Sequence, residues 1–341
     1  MEATTHVRNR RVARWLFVLC ALVFAMVVLG GVTRLTGSGL SMTDWRPIVG
    51  WLPPLSAEDW ERSFELYRQS PEFRHVNPDM DVHGFKRIFW LEYLHRLFGR
   101  LIGVAFLVPF VAFVWKGYIG WRESPKYALM FVLGGLQGVL GWYMVKSGLV
   151  DNPRVSQYRL TAHLLSAFAI YAYMFWIALS LVHGPPRPPH HAWFGRTTAL
   201  LALVTVTVIS GGFVAGLDAG LIYNTFPKMG EYWIPPGLFA LDPWWLNFFE
   251  NMATAQFDHR VLALTTVCAV IVYWWFAWPQ LGQKRLRRAA SLMVLVVLVQ
   301  AALGISTLLL HVPIALAAAH QAVALLLFTV ALYLCHGSRY G

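Results

Sequence analysis

Charge is scarce in this chain. Only 13% of its 341 residues are Asp, Glu, Lys or Arg, about half the share of an ordinary soluble domain. Cysteine is scarcer still. Cys20, Cys268 and Cys335 lie far apart, each inside an apolar run. That excludes a disulfide framework or a cysteine-based zinc site and reads them as small hydrophobes. Long polar stretches are also missing: the one of any length runs from Arg34 to Phe89, so no soluble domain of ordinary size fits. No nucleic-acid-binding pattern accompanies the formal charge of +11. Nucleic acid is therefore excluded as a partner, and the charge is read as bases gathered on one side of a membrane.

What the chain has in abundance is apolar sequence, 57% of its residues. Runs able to cross a hydrocarbon core of ~30 Å recur at 12–33, 91–115, 127–146, 159–182, 197–216, 256–278, 288–310 and 314–335. The basic patch Arg8, Arg10, Arg11 and Arg14 precedes an apolar run without a small-x-small cleavage site, which reads as a retained first helix. The fold class expected is all-α integral membrane, with eight transmembrane helices in contact with membrane lipid. Fourteen Lys and Arg residues, from the N-terminal four through Arg187 and Lys284 to Arg339, fall on one side; the short loops of the other have only Arg154, Arg159 and Lys228. Both termini are then cytoplasmic, with the long loop 34–90 and the loop 217–255 outside. The expected location is a bacterial inner membrane.

The chain repeats itself. Gly30-Gly31, Gly39-Leu40 and Trp51-Leu52-Pro53-Pro54 are matched by Gly211-Gly212, Gly220-Leu221 and Trp233-Ile234-Pro235-Pro236. Glu92-x-x-His95-Arg96 is matched by Gln256-x-x-His259-Arg260, Gln137-x-x-Leu140-Gly141 by Gln300-x-x-Leu303-Gly304, and Ala162-His163 by Ala319-His320. Corresponding helices keep their direction, which makes parallel repeats. The expected architecture is two pseudo-symmetric four-helix bundles, residues 1–185 and 186–341.

Eight of the twelve histidines (His6, His75, His83, His183, His190, His191, His311 and His336) fall in loops, tails or helix ends and read as solvated polar residues. His95, His163, His259 and His320 fall within spans, where ionisable groups are costly and functional by default. Each comes three to six residues after its expected helix start, on the order of 5–9 Å below the outer surface. Paired imidazoles at one depth in a bundle are what axial heme ligation needs. Interhelical hydrogen bonds and a metal-free proton relay are the alternatives. Arg96 and Arg260 are placed to meet heme propionates or to snorkel.

The halves differ where Glu92 faces Gln256. Glu92 lies one turn before His95 on the same face, so a carboxylate serves one site and an amide the other. That suggests chemistry at the first and electron handling at the second; a helix N-terminal acid favoured by the macrodipole is the plainer role. Trp45, Trp51 and Trp233 are candidates to cover the heme mouths.

Gly30-Gly-Val-Thr-Arg-Leu-Thr-Gly-Ser-Gly-Leu40, Trp45-Arg-Pro-Ile48, Glu92-Tyr-Leu-His-Arg96, Thr161-Ala-His163, Phe257-Asp-His-Arg260 and Ala319-His-Gln321 together resemble the heme A synthase family, in the form shared by alphaproteobacteria and mitochondria. The resemblance implies oxidation of the C8 methyl of heme O to a formyl group by successive hydroxylation. It also implies heme b as cofactor on His259 and His320, substrate heme O at His95 and His163, and Glu92 as the catalytic carboxylate. Heme O synthase (the farnesyltransferase) and oxidase assembly factors are the partners implied. Some members of that family carry a cysteine pair in the first outer loop; this chain has none there. The competing readings are a di-heme b-type membrane cytochrome that only transfers electrons and a transporter of parallel repeats.

Overall fold

A computed structural model of the chain describes residues 2–44, 50–150, 152–183 and 193–340. Trp45 with the Arg46-Pro47-Ile48 that follows it, Arg187, His190 and His191 lie outside the described residues, as does the side chain of His6. Among the described residues there is no β-strand, and eight helices are long and apolar enough to cross a membrane. They are α1 (Glu2–Leu35), α4 (Val82–Trp115), α5 (Ser124–Lys146), α6 (Gln157–His183), α7 (Phe194–Gly216), α9 (Met252–Ala277), α10 (Lys284–Leu309) and α11 (Ile314–Tyr340). The short helix α8 (Asn247–Glu250) leads into α9. The expected all-α, multi-pass membrane fold is borne out. The three cysteines are free, with Cys20 and Cys335 buried.

The residues group into two compact units, Ala25–Ala167 and Met1–Phe24 with Phe168–Gly341. In the second unit α7 packs on α9, α9 on α10, α10 on α11 and α11 back on α7, closing a ring of four helices. Val270, Tyr273 and Ala277 of α9 and Met293, Val296 and Val297 of α10 are buried there at the three- and four-residue spacing of one helix face. His336 belongs to this interior. It is 1% exposed and its Nε2 lies 3.1 Å from the Ser180 hydroxyl. The expectation of a solvated terminal residue is corrected: α11 does not end at 335 but runs on to Tyr340, which keeps residue 336 on the packed face.

In the first unit the polar stretch expected as a loop is about half helical. It forms α2 (Ala57–Arg68), α3 (Pro71–His75) and the first turns of α4. Local chemistry explains each start. Ser56 and Asp59 form a reciprocal capping box on α2, Ser70 caps α3 ahead of Pro71, and Asp81 accepts from the Gly84 amide to start α4. Trp60, Phe64 and Tyr67 make one stripe of α2, and Phe85, Phe89 and Tyr93 one stripe of α4. All six are buried in a single aromatic cluster, with Trp60 on Phe89 at 4.9 Å and Tyr67 on Phe85 at 5.2 Å between centroids. This burial holds α2 on α4 and extends α4 nine residues ahead of the expected start at 91.

Candidate functional site

Each unit carries one histidine pair, and glycine places every member of it. In the first unit a Cβ on Gly30 of α1 would sit 3.1 Å from His95 Nε2, and one on Gly141 of α5 would sit 3.0 Å from His163 Cε1. In the second, Gly211 of α7 stands in the same relation to His259 (3.0 Å) and Gly304 of α10 to His320 (2.8 Å). These are the glycines of the sequence repeat. A missing side chain lets the neighbouring helix approach closely and leaves room for an imidazole on its surface. His95 and His163 lie within electrostatic reach of each other, and so do His259 and His320. One detail separates the pairs: His95 turns Nε2 toward its glycine, whereas the other three turn Cε1.

Polar neighbours fix the rings. The Ser210 hydroxyl lies 2.9 Å from His259 Nδ1, which leaves Nε2 for a metal. Gln137 donates to the His163 carbonyl at 2.8 Å and accepts from Ser166. Its counterpart Gln300 reaches His320 Nε2 at 3.4 Å. Nδ1 of His163 and of His320, Oε1 of Gln256 and of Gln300, and Nε of Arg260 are buried without a hydrogen-bond partner. Such orphans are costly in a membrane interior. The unpaired Nδ1 of His163 and of His320, with a glycine behind each imidazole of both pairs, form a donor set that fits a bis-imidazole heme. No group of three His, Cys, Asp or Glu among the described residues is placed to hold a bare metal ion.

Glu92 is 3% exposed. The macrodipole role is corrected, since α4 starts at Val82 and Glu92 lies in its third turn. The same start puts His95 thirteen residues into its helix, not three to six. Oε2 of Glu92 accepts from the Ser41 hydroxyl and the Met42 amide, both at 2.7 Å, and Oε1 pairs with Arg96. The guanidinium also donates to the carbonyls of Met42 (2.9 Å) and Asp44 (3.4 Å). The second unit repeats this clamp with the polarity changed. Arg260 donates to the carbonyls of Tyr223 (2.8 Å) and Thr225 (2.9 Å), and Gln256 donates to Tyr223 O where Glu92 accepts from Met42 N. Sequence reasoning missed the clamp, although Glu92-x-x-x-Arg96 has the spacing of a helical ion pair.

Arg96→Ala is therefore expected to leave a buried carboxylate uncompensated, a loss of about 3–5 kcal/mol. Thermal unfolding of the detergent-solubilised variant should be clearly earlier than that of wild type, and earlier than for Arg260→Ala, which breaks only contacts to neutral carbonyls. Equal unfolding temperatures for Arg96→Ala and wild type would remove the ion pair from the account.

Trp51 and Trp233 are exposed at 40% and 67%, and the carbonyl of Trp51 accepts from the Tyr93 hydroxyl at 2.6 Å. His75 and His83 are exposed on α3 and α4.

A family model described as cytochrome oxidase assembly protein, COX15-CtaA, matches residues 13–332. The chain belongs to the COX15-CtaA family. Its COX15-CtaA relatives include the "Heme A synthase" of Nitrosospira multiformis, 56% identical over 97% of this chain and 94% of that protein. The "Heme A synthase COX15" of Arabidopsis thaliana is 50% identical over 95% of this chain and 74% of its own length. The human "Heme A synthase COX15" is 47% identical over 97% of this chain and 83% of its own length. The family likeness read from the motifs is thus borne out, across bacterial and mitochondrial-type members.

Proposed function

We propose that this chain is a heme A synthase: an oxidoreductase that converts the C8 methyl of heme O to a formyl group by successive hydroxylation, supplying heme A to terminal oxidases. The observation that carries the reading is the asymmetric repeat, two equivalent imidazole pairs of which one alone has a buried carboxylate a helical turn away. The names of relatives matched over nearly the whole chain support it.

In this reading His259 and His320 hold a resident heme b, and His95 and His163 receive heme O. Bound heme b supplies one-electron redox chemistry. The chain's own residues do the rest. The glycine slots hold the imidazoles of each pair, the residues that would hold the heme. Arg260, with its buried Nε still unpaired, meets a propionate. Arg96 fixes Glu92, and Glu92 positions a proton or stabilises positive charge beside the reacting methyl. Ser41 and the Met42 amide aim the carboxylate from the loop side.

We further read both termini as cytoplasmic, the membrane as a bacterial inner membrane, the two pseudo-symmetric halves as 1–185 and 186–341, and the heme O-producing farnesyltransferase and oxidase assembly factors as partners. The test is conversion. Membranes containing the wild-type chain and supplied with heme O should yield heme A by extraction and mass spectrometry. Heme b alone, with no heme O or heme A under any condition, would favour a cytochrome that only passes electrons.

A further inference from the structure

The two units share a plan but differ below the histidines. On α4 the face of His95 runs on through Gly99 and Gly103 to Phe106, and on α5 the face of Gly141 runs on through Gly134 to Phe131, at helical spacing. The matching positions of the second unit are Ala263 and Val267 on α9 and Val297 on α10. Each of the three glycines is thus a larger residue there. Val297 is 2% exposed in the packed ring, whereas Gly134 is exposed. A Cβ on Gly103 or Gly134 would meet nothing within 4 Å, and one on Gly99 would meet only the end of the Met26 side chain, at 3.1 Å. What side chains fill in the second unit is open in the first. Phe106 and Phe131 close the far end, with ring centroids 5.8 Å apart, about 15 Å of helix from Gly141.

Small residues on a membrane helix ordinarily admit another helix. This slot has a different head. It begins at His163, whose ring lies against Gly141 and whose buried Nδ1 lacks a hydrogen-bond partner. Past Gly141, toward the end of α5, a cavity of about 260 Å³ opens beside Arg96 and Lys146, with Met42, Trp142 and Val145 in its wall. Among the described residues that line it none is acidic. Arg96 is engaged by Glu92, which leaves the Lys146 ammonium, 5.2 Å from the Trp142 ring, to receive an anion. The second unit has Leu309 at that position. A lysine at one end and an open apolar slot at the other, neither repeated in the second unit, suit a ligand that is anionic on one edge and carries a long apolar chain on the other. Heme O is such a ligand: its propionates and its hydroxyethylfarnesyl chain stand on opposite edges of the ring. Heme b has a vinyl group in place of the chain and needs no slot.

We propose that the glycine-lined slot between α4 and α5 is the binding site of the farnesyl chain of heme O, with Lys146 meeting a propionate at the opposite end, so that the first unit selects its substrate by the tail. The proposal rests on the heme A synthase reading. Hydrophobicity does not drive the selection, because lipid is as apolar as the slot. Room does: Gly99, Gly103 and Gly134 leave space for the chain, and Ala263, Val267 and Val297 deny it to the resident heme site.

The test is porphyrin binding by the full-length protein in detergent, with its heme b in place. Heme O and protoheme, the tailless ring, are titrated separately, and the added Soret absorbance gives the affinity of each for the first unit. Gly103→Val/Gly134→Val installs the residues that the second unit already carries at these positions. It should bind heme O at least ~10-fold more weakly than wild type, the scale of an overpacked contact, and protoheme as wild type does. Lys146→Gln should weaken both porphyrins alike, since both carry propionates. Phe131→Ala lowers the floor and should bind a heme with a geranylgeranyl chain more tightly than wild type does. This variant carries the test if the double variant loses heme b. Unchanged heme O affinity in the double variant overturns the proposal and leaves the slot to a lipid chain or a second copy of the protein. Equal loss of heme O and protoheme overturns it too, because the valines would then disturb the ring site and not the tail. A wild type that prefers heme O to protoheme, loses that preference in the double variant and yet makes no heme A supports the slot and strikes the reaction assigned to the chain.

Discussion

Glu92→Gln is expected to abolish heme A formation while leaving the protein coloured. Glutamine keeps the length of the side chain and one acceptor oxygen, which can stay with Ser41 and the Met42 amide while the NH2 takes the place of the oxygen that Arg96 met. What is lost is the negative charge and the capacity to exchange a proton. Positioned acid–base groups contribute roughly 100- to 10,000-fold, and the fall in conversion should lie in that range. Heme b should remain, because His259 and His320 belong to the other unit. Heme O or a hydroxylated product should accumulate in the extract. The second unit serves as the natural control: it already carries Gln256 at the matching position, with the loop contact reversed in polarity. A Glu92→Gln enzyme that makes heme A at the wild-type rate would move the chemistry elsewhere.

Gly304→Val and Gly141→Val are expected to empty one heme site each, and different ones. A Cβ alone on Gly304 would already stand 2.8 Å from His320 Cε1, and one on Gly141 3.0 Å from His163 Cε1. The two further methyl groups of valine have no room but the imidazole's. Overpacking of a core costs about 1–3 kcal/mol, and here the cheapest relief is to turn the ring out of its slot, which costs the iron ligand. Gly304→Val should therefore lose heme b. Gly141→Val should keep heme b and lose heme O binding and heme A formation. Gly138→Val, on the same helix as Gly141 but with nothing within 4 Å of its Cβ, should behave as wild type. Heme content per chain, read from the pyridine hemochrome spectrum, separates these outcomes. Full heme b in Gly304→Val would mean that His320 is not held as described.

The eight spans are legible in the sequence because a run of twenty or so apolar residues matches the thickness of a bilayer and little else. Their ends are not, and α4 shows why. Residues 82–90 contain His83, Lys86 and Arg87, and hydropathy discounts them although Asp81 caps a helix there. The outer segment is hidden for the same reason. Its charges mask a capping box at Ser56 and Asp59 and an aromatic stripe at 60, 64 and 67. The local signal is present, but the partner stripe on α4 is far away in sequence. The histidine pairs are legible through the repeat, and so are the glycines, but not the reason the two travel together. Gly141 and His163 are twenty-two positions apart, and only the packing of α5 on α6 brings the hydrogen of one against the ring of the other. The sequence reads Arg96 as a propionate or lipid contact, whereas its engagement with the Met42 and Asp44 carbonyls depends on how the chain turns after α1.

The most direct measurement is the identity and stoichiometry of heme, by extraction and mass spectrometry, in two double variants purified after growth with heme O. His259→Ala/His320→Ala is expected to lack heme b and still take up heme O. His95→Ala/His163→Ala is expected to hold a full equivalent of heme b and neither heme O nor heme A. A colourless wild-type protein, or both variants retaining both hemes, would contradict the assignment of one imidazole pair to each porphyrin.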